Sequence, residues 1–228
     1  MLATKGKEIQ TEGIVLRVLT LREDDLFVDL MTPHQGRLWG VARHGRKSHK
    51  RFGTVLEPLN IVRLRFRDRG GFVDLEEAGM EFPLNHLDQN LITLLSSFYL
   101  IDLVREFAPE RSADPNLYKL LRDSLLKMNQ RLTPREVISA FEKRLLEVCG
   151  YGLNLGNCQS CERDLQQKEN FYFVYREGGI FCQVCVPHGN HEIFTENSIY
   201  RILPRFIEYQ LGHSPKSRKL LTQAGLSY

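Results

Sequence analysis

Strand-sized apolar stretches fill the first eighty residues, helix-period stripes follow, and two C-x2-C pairs interrupt the helices from residue 158. Together these observations predict an α+β multidomain chain: an N-terminal five-stranded barrel, then an all-helical domain carrying an inserted four-cysteine zinc ribbon. Short strands separated by turns, with no long helical period among them, suggest a small antiparallel barrel whose leading candidate is the OB-fold. Closing the sheet also removes exposed strand edges. The expected divisions are 1–80 for the barrel, 81–155 for the first part of the helical domain, 156–190 for the ribbon and 191–228 for the C-terminal helical part.

After a polar, frayed start at Met1–Gln10, the first strand is expected over Glu12–Thr20, which holds Ile14, Val15, Leu16, Val18 and Leu19. Leu26–Thr32 follows, with Leu26, Val28 and Leu30 alternating against Phe27, Asp29 and Met31. Pro33-His-Gln-Gly36 reads as a turn, because Pro sets its backbone angle and Gly closes it. Arg37–Arg43 is a third strand. The run Arg43–Arg51 then forms a loop, since Gly45 and Gly53 argue against a helix. A fourth strand, Leu56–Phe66, continues the two-residue period into Arg67: Ile61, Arg63, Arg65 and Arg67 share one face, and Val62, Leu64 and Phe66 the other. Arg69-Gly-Gly71 turns the chain into a fifth strand at Phe72–Ala78.

Near Pro83 the period changes. Asp88 can cap a helix running to about Phe107, with Leu91, Leu94, Leu95, Phe98, Ile101 and Val104 as its buried stripe. Asp114 and Pro115 suit the start of a second helix, which carries Leu117, Leu120, Leu121, Leu125 and Met128. Thr133-Pro-Arg-Glu136 has the form of a capping box for a third helix that buries Val137, Phe141, Leu145 and Val148 and ends at Gly150. Beyond the ribbon, Thr195-Glu-Asn-Ser198 can start a helix through Leu211 that stops at Gly212. A short basic segment from Ser214 to Thr222 ends the ordered pattern.

The ribbon is the most specific signal. Cys158 and Cys161 form one knuckle, Cys182 and Cys185 the other, with twenty residues between the pairs. Two such knuckles brought face to face complete a tetrahedron of thiolates about one Zn2+, at the upper edge of ribbon spacing. Between them, Phe171–Tyr175 is rich in strand formers and Glu177-Gly-Gly179 is a turn, so a short hairpin presents one pair to the other. Two reduced thiol pairs without metal are the alternative. A disulfide framework fits poorly with a chain this long, with no signal peptide visible and with an odd fifth cysteine, Cys149, on an apolar helix face. His188 and His191 lie near the second knuckle and read as exposed, though either could replace one cysteine. Four thiolates leave no open coordination position, so the expected metal holds shape and performs no chemistry.

Composition excludes little: 42% hydrophobic and 26% charged residues describe an ordinary globular chain, and a net charge of +3 says little about partners. Distribution says more. Arg43, Arg46, Lys47, Lys50 and Arg51 put five cations and no acid in nine residues. Such a run repels itself unless a polyanion compensates it. On an OB barrel, cations that track phosphates and aromatics that stack bases are the means of holding a single strand. Arg63, Arg65 and Arg67 extend the cation track. Trp39, Phe52 and Phe72 are candidate stackers, with barrel core as the competing place for Trp39. Lys216, Arg218 and Lys219 could add phosphate contacts or favour a helix dipole. No P-loop or G-x-S-x-G elbow is present, and the acid pairs Asp24-Asp25 and Glu76-Glu77 read as solvated surface groups. No apolar run reaches membrane-spanning length, and with no targeting segment visible the cytoplasm is the expected location. No enzymatic activity is therefore expected.

The order of parts resembles the RecO family of bacterial recombination mediators over nearly the full chain. The resemblance is carried by Thr11-Glu-Gly-Ile-Val-Leu16, Leu30-Met-Thr-Pro-His-Gln-Gly-Arg37, Gly40-Val-Ala-Arg43, Phe141-Glu-Lys-Arg-Leu-Leu146, Gly150-Tyr-Gly152, the cysteine ribbon and Leu211-Gly-His-Ser-Pro-Lys-Ser-Arg218. It implies a nucleoid-associated protein of DNA damage repair that binds single- and double-stranded DNA and anneals complementary strands. It also implies contact with the acidic C-terminal tail of single-stranded-DNA-binding protein, and cooperation with RecR in loading RecA. The family's DNA-binding loop maps onto Arg43, Arg46, Lys47, Lys50 and Arg51, and its metal ligands onto the four ribbon cysteines. The competing reading is a zinc-ribbon interaction scaffold that does not bind DNA itself.

Overall fold

The computed structural model describes residues 6–21, 24–164, 170–195 and 198–226. The chain forms two compact units, Met1–Leu132 and Thr133–Tyr228.

The first unit is built on five strands: β1 (Glu8–Thr20), β2 (Leu26–Thr32), β3 (Gly36–Ala42), β4 (Ile61–Asp68) and β5 (Val73–Phe82). They pair in the ring β1-β2-β3-β5-β4, and β4 returns to β1, so the barrel closes. All pairs are antiparallel except β3 with β5, where Gly40, Val41 and Ala42 lie beside Val73, Asp74 and Leu75. This is the five-stranded topology expected from the strand pattern. β1 is longer than its apolar stretch because its first half pairs with β4 and its second half with β2. Glu8–Gln10 are therefore strand and not frayed; residues 1–5 lie outside the described part.

Inward side chains follow the two-residue period. Val28, Leu30, Leu38, Val62, Leu64, Phe66, Val73 and Leu75 fill the barrel. Two expectations fail here. Leu56–Asn60 is no strand but a turn, in which Leu59 takes φ 77° and donates its N–H to the Val15 carbonyl at 2.9 Å. The basic run is not all loop either: a single turn of helix, α1 (His49–Phe52), precedes Gly53 and drops Phe52 into the core at 1% exposure.

Two helices complete this unit. α2 (Leu91–Phe107) is capped by Asn90, whose Oδ1 accepts the N–H groups of Ile92 and Thr93 at 2.9 and 3.2 Å. The expected cap, Asp88, lies two residues too early. The expected stripe holds only in part: Ile101 and Val104 are buried, but so are Ser96, Ser97, Tyr99, Leu100 and Leu103, while Leu94, Leu95 and Phe98 are half-buried and Leu91 is 63% exposed. α3 (Pro115–Asn129) begins as expected, with Asp114 Oδ1 accepting from Asn116 and Leu117.

Gly36 sits where β3 meets the segment after α2. Its φ is 70°, and a Cβ there would lie 2.2 Å from the Ser112 carbonyl oxygen, so no other residue fits without moving backbone.

In the second unit, α4 (Pro134–Val148) has Pro134 at its first position, but Thr133 makes no side-chain cap bond, so the capping box does not form. Val137, Phe141 and Leu145 are buried, and Gly150 takes φ 82° beyond the helix end. β6 (Phe171–Val174) and β7 (Gly179–Cys182) form the expected hairpin. A third strand, β8 (His191–Phe194), pairs with the other edge of β6. α5 (Ile199–Leu211) follows a reciprocal bond pair between Thr195 and Ser198 and stops at Gly212 with φ 73°; Glu196 and Asn197 of the expected start lie outside the described residues. The sheet rests on α5 through Phe173, edge-on to Phe206 at 5.6 Å, and through Glu192, which pairs with Arg201 and Arg205. The basic segment near the end is a helix, α6 (Lys216–Gln223).

Candidate nucleic-acid interface and metal centre

The basic loop leaves β3 through a tight turn. His44 takes φ 54°, and Gly45 donates to the Ala42 carbonyl at 3.1 Å. His44 then accepts through its carbonyl from the N–H groups of Lys47 and Ser48. Arg43, Arg46, Lys47 and Lys50 are exposed. Arg51 is different. It lies 4.9 Å over the Phe52 ring and donates to Ser48 Oγ and to the Arg43 carbonyl, so it braces the loop from within.

Two acids read as idle surface groups have a part here that the sequence did not signal. Asp24 accepts from Lys47 Nζ at 2.9 Å and offers its carbonyl to Arg46 N–H, while Asp25 Oδ1 accepts from His44 N–H at 2.8 Å. The β1–β2 turn thus holds the basic loop in place. Arg43 stands 3.5 Å from Asp74. Exposed pairs of this kind are worth about 0–1 kcal/mol, so a polyanion can exchange for the carboxylates at little cost.

The arginine face of β4 is present but balanced. Arg63 meets Glu81 at 2.8 Å, Arg65 meets Glu76 and Glu77 at 2.9 and 3.1 Å, and Arg67 meets Glu76 and Glu8. The cause is register: Glu8 lies opposite Arg67 on β1, and Glu77 opposite Arg65 on β5. The hydrogen bond to Glu77, chiefly, raises the Arg65 pKa further. Arg63 keeps a mostly exposed side chain despite its partner.

Of the candidate stackers, Phe52 is core. Trp39 is not core; it is half-buried on the outer face of the barrel, stacked on Phe27 with centroids 4.5 Å apart and planes 8° from parallel. Its Nε1–H donates to Glu110 Oε1 at 2.9 Å. Phe72 is 37% exposed at the β4–β5 turn.

The four ribbon cysteines converge. The Sγ atoms of Cys158, Cys161, Cys182 and Cys185 all lie within 4.8 Å of one another, and Cys161 and Cys182 are 3.8 Å apart. Metal–thiolate bonds of about 2.3 Å in a tetrahedron put sulfurs about 3.8 Å apart, so the set fits a metal ion. Each knuckle is a backbone turn: Glu162 N–H donates to the Cys158 carbonyl at 2.8 Å, and Cys185 and Val186 N–H to that of Cys182 at 3.0 and 2.9 Å. Burial raises the Cys158 pKa, but N–H groups of Cys161, Cys182 and Ser160 outweigh it and lower the thiol to about 6. Cys185 is raised to about 11, first through its contact with the Cys182 thiol. Cys158 thus starts near ionisation, and a bound cation favours thiolate ligands generally. His188 and His191 are exposed and stand outside this group.

A five-stranded OB-type barrel with an exposed cationic loop, followed by helices and a four-thiol ribbon, defines a class of modular proteins with an oligonucleotide-binding fold. Within it, residues 7–81 match the family model for the N-terminal part of recombination protein O, and residues 88–193 match that for its C-terminal part. The chain is 35% identical over 180 residues to the DNA repair protein RecO of Syntrophus aciditrophicus, covering 77% of this chain and 69% of that one. It is 32% identical to the RecO of Syntrophobacter fumaroxidans over 77% of this chain and 70% of the relative, and 24% identical to that of Bacillus subtilis over 88% and 78%. The chain belongs to the RecO family of DNA repair proteins, which gives it a role in recombination repair. Among the described residues no helix is long and apolar enough to cross a membrane.

Proposed function

We propose that the protein is a non-enzymatic recombination mediator of the cytoplasm and nucleoid that binds single- and double-stranded DNA and anneals complementary strands. The observation that carries this reading is the basic loop: four exposed cations held on a braced turn beside the barrel, in a chain of the RecO family. Arg43, Arg46, Lys47 and Lys50 bind phosphates directly, and Arg51 keeps the loop in shape. Arg63, with one carboxylate partner and an exposed side chain like those of the loop, adds to them, and Arg65 adds less because Glu76 and Glu77 both hold it. Annealing then needs no covalent step. Neutralising phosphates on two strands lowers their repulsion and raises their local concentration, and base pairing supplies the driving force.

The same reading makes RecR and the acidic tail of single-stranded-DNA-binding protein its partners, with RecA loading as the outcome. The four ribbon cysteines hold one structural Zn2+, which ties the two knuckles together. The test is strand annealing on oligonucleotides coated with single-stranded-DNA-binding protein, across a range of salt. Annealing that falls steeply with salt supports the reading. Failure to bind or anneal any oligonucleotide at low salt rejects it and favours the ribbon as a protein-docking module, for which Val184, 83% exposed at its tip, is the best anchor.

A further inference from the structure

Cations crowded on one loop repel each other, so the basic run keeps its shape only where something outside it holds the backbone. Two neighbouring acids before β2 do this, and their contacts differ in kind. Asp25 Oδ1 accepts the His44 N–H at 2.8 Å, a bond to main chain. Asp24 Oδ2 accepts from Lys47 Nζ at 2.9 Å, a bond to a side chain that is itself 74% exposed.

Asp25 is anchored on the barrel. Its own carbonyl accepts from Leu21 N–H at 2.9 Å, and the next residue, Leu26, opens β2. The group it holds needs support. His44 has φ 54°, a left-handed conformation that is costly for a residue with a Cβ. The rest of the turn hangs on that residue, because the His44 carbonyl accepts from Lys47 and Ser48 N–H at 3.1 and 3.0 Å. Gly45 is buried beside it, and a Cβ there would stand 3.1 Å from the Leu26 side chain. One carboxylate at the mouth of β2 thus sets the path of the backbone that carries Arg46 and Lys47.

The two bonds have opposite consequences for a polyanion. Phosphate competes with Asp24 for the Lys47 ammonium. It does not compete with Asp25, whose partner is a main-chain N–H inside the turn. A loop shaped before contact also loses less conformational freedom on binding.

We infer that Asp25 is a positioning residue for DNA binding, shaping the loop through His44, and that Asp24 is a counter-ion that holds Lys47 until phosphate replaces it. The inference rests on the DNA-binding reading above and gives two adjacent acids of equal charge opposite effects on it.

Charge alone makes removal of either acid strengthen binding, because each repels phosphate. The test is affinity for labelled oligo(dT) of about 20 nucleotides, read by anisotropy across salt. Asp24→Asn should bind about two- to fivefold tighter. Asp25→Ala should bind roughly tenfold more weakly, the worth of one hydrogen bond to a charged group. Its slope of log affinity against log salt should fall by about 0.7, one phosphate contact. Asp25→Asn keeps the acceptor and should restore the affinity. Hydrogen exchange at the Lys47 and Ser48 amides should quicken in Asp25→Ala, while that of the β2 and β3 amides stays as it was, which separates a loosened loop from a destabilised barrel. Tighter or unchanged binding by Asp25→Ala, an Asp25→Asn variant as weak as Asp25→Ala, or unchanged exchange at Lys47 and Ser48 overturns the positioning role while leaving DNA binding intact. Weaker binding by Asp24→Asn overturns the counter-ion role. Absence of binding to every oligonucleotide by the unaltered protein overturns the DNA-binding reading as well.

Discussion

Arg105, near the end of α2, donates through Nε to Oδ2 of Asp29 at 3.2 Å, deep under the outer face of the barrel. Arg37 grips the same carboxylate through two bonds of 2.9 Å and passes a third to the Arg105 carbonyl. One fully buried acid therefore joins β2, β3 and α2. Removing one partner of a buried pair costs about 3–5 kcal/mol. Both arginines remain partly hydrated, so Asp29→Ala should fall at the lower end, about 3 kcal/mol in urea unfolding. A loss below about 1 kcal/mol would mean that the cluster behaves as an ordinary surface pair.

The loop makes a sharper prediction for the charge-reversal set Arg46→Glu, Lys47→Glu and Lys50→Glu. Removing one cation that neutralises a phosphate should reduce the slope of log affinity against log salt by about 0.7 for a single strand. The triple variant should therefore bind weakly at moderate salt with a slope lower by about 2. Arg51 is best left alone, because its bonds to Ser48 and Arg43 shape the loop, and its replacement would mix a missing charge with a collapsed turn. An unchanged slope removes the loop from the interface.

Metal content can be measured directly. One metal ion per chain is expected, and Cys158→Ser with Cys161→Ser should abolish it. Circular dichroism melts should show a chelator-sensitive loss of stability in the unaltered protein and none in the double variant. Identical melts with and without chelator, at a metal content near zero, would leave the knuckles as plain thiols.

Asp68 supplies a pH dependence. Hydrogen bonds from Arg111, at 3.0 and 3.1 Å, hold its carboxyl below the ordinary range; partial burial opposes this and the Gly70 N–H assists. A carboxyl with a depressed folded pKa adds stability above its unfolded value, near 4, and loses it as the pH falls through the folded value. Asp68→Asn keeps an acceptor but cannot titrate. The stability gap between the two proteins should be widest near neutrality and narrow below about pH 4. A gap that does not change with pH would assign the effect to packing.

Much of this was legible from residue order. Alternation located the barrel and its core, because a half-buried strand declares its inner face every second residue. Cysteine spacing located the four-thiol cluster, because two knuckles have few ways to meet. Local signals failed where two residues suited one role: Asp88 and Asn90 are both good caps, and helix packing chose the second. Short elements escaped as well. β8 has only four residues, and its reason for being a strand is β6, some twenty residues away. The balanced arginine face was hidden for a related cause, since Arg65 and Glu77 become neighbours only once the strand register is known. Trp39 stands between Leu38 and Val41, which favoured a place in the barrel core, yet the alternation of the strand puts it on the outer face.

The parallel pairing of β3 with β5 has a consequence for synthesis. β1, β2 and β3 form a meander that can assemble as soon as it leaves the ribosome, but β3 gains its β5 neighbour only when the chain has run on through Leu75. Until then the growing polypeptide presents β3 as an open, pairing-competent margin, the state most exposed to misjoining with another nascent copy. Delay in producing residues 43–72 lengthens that interval, so codon choice across the basic run should influence yield without altering the finished molecule.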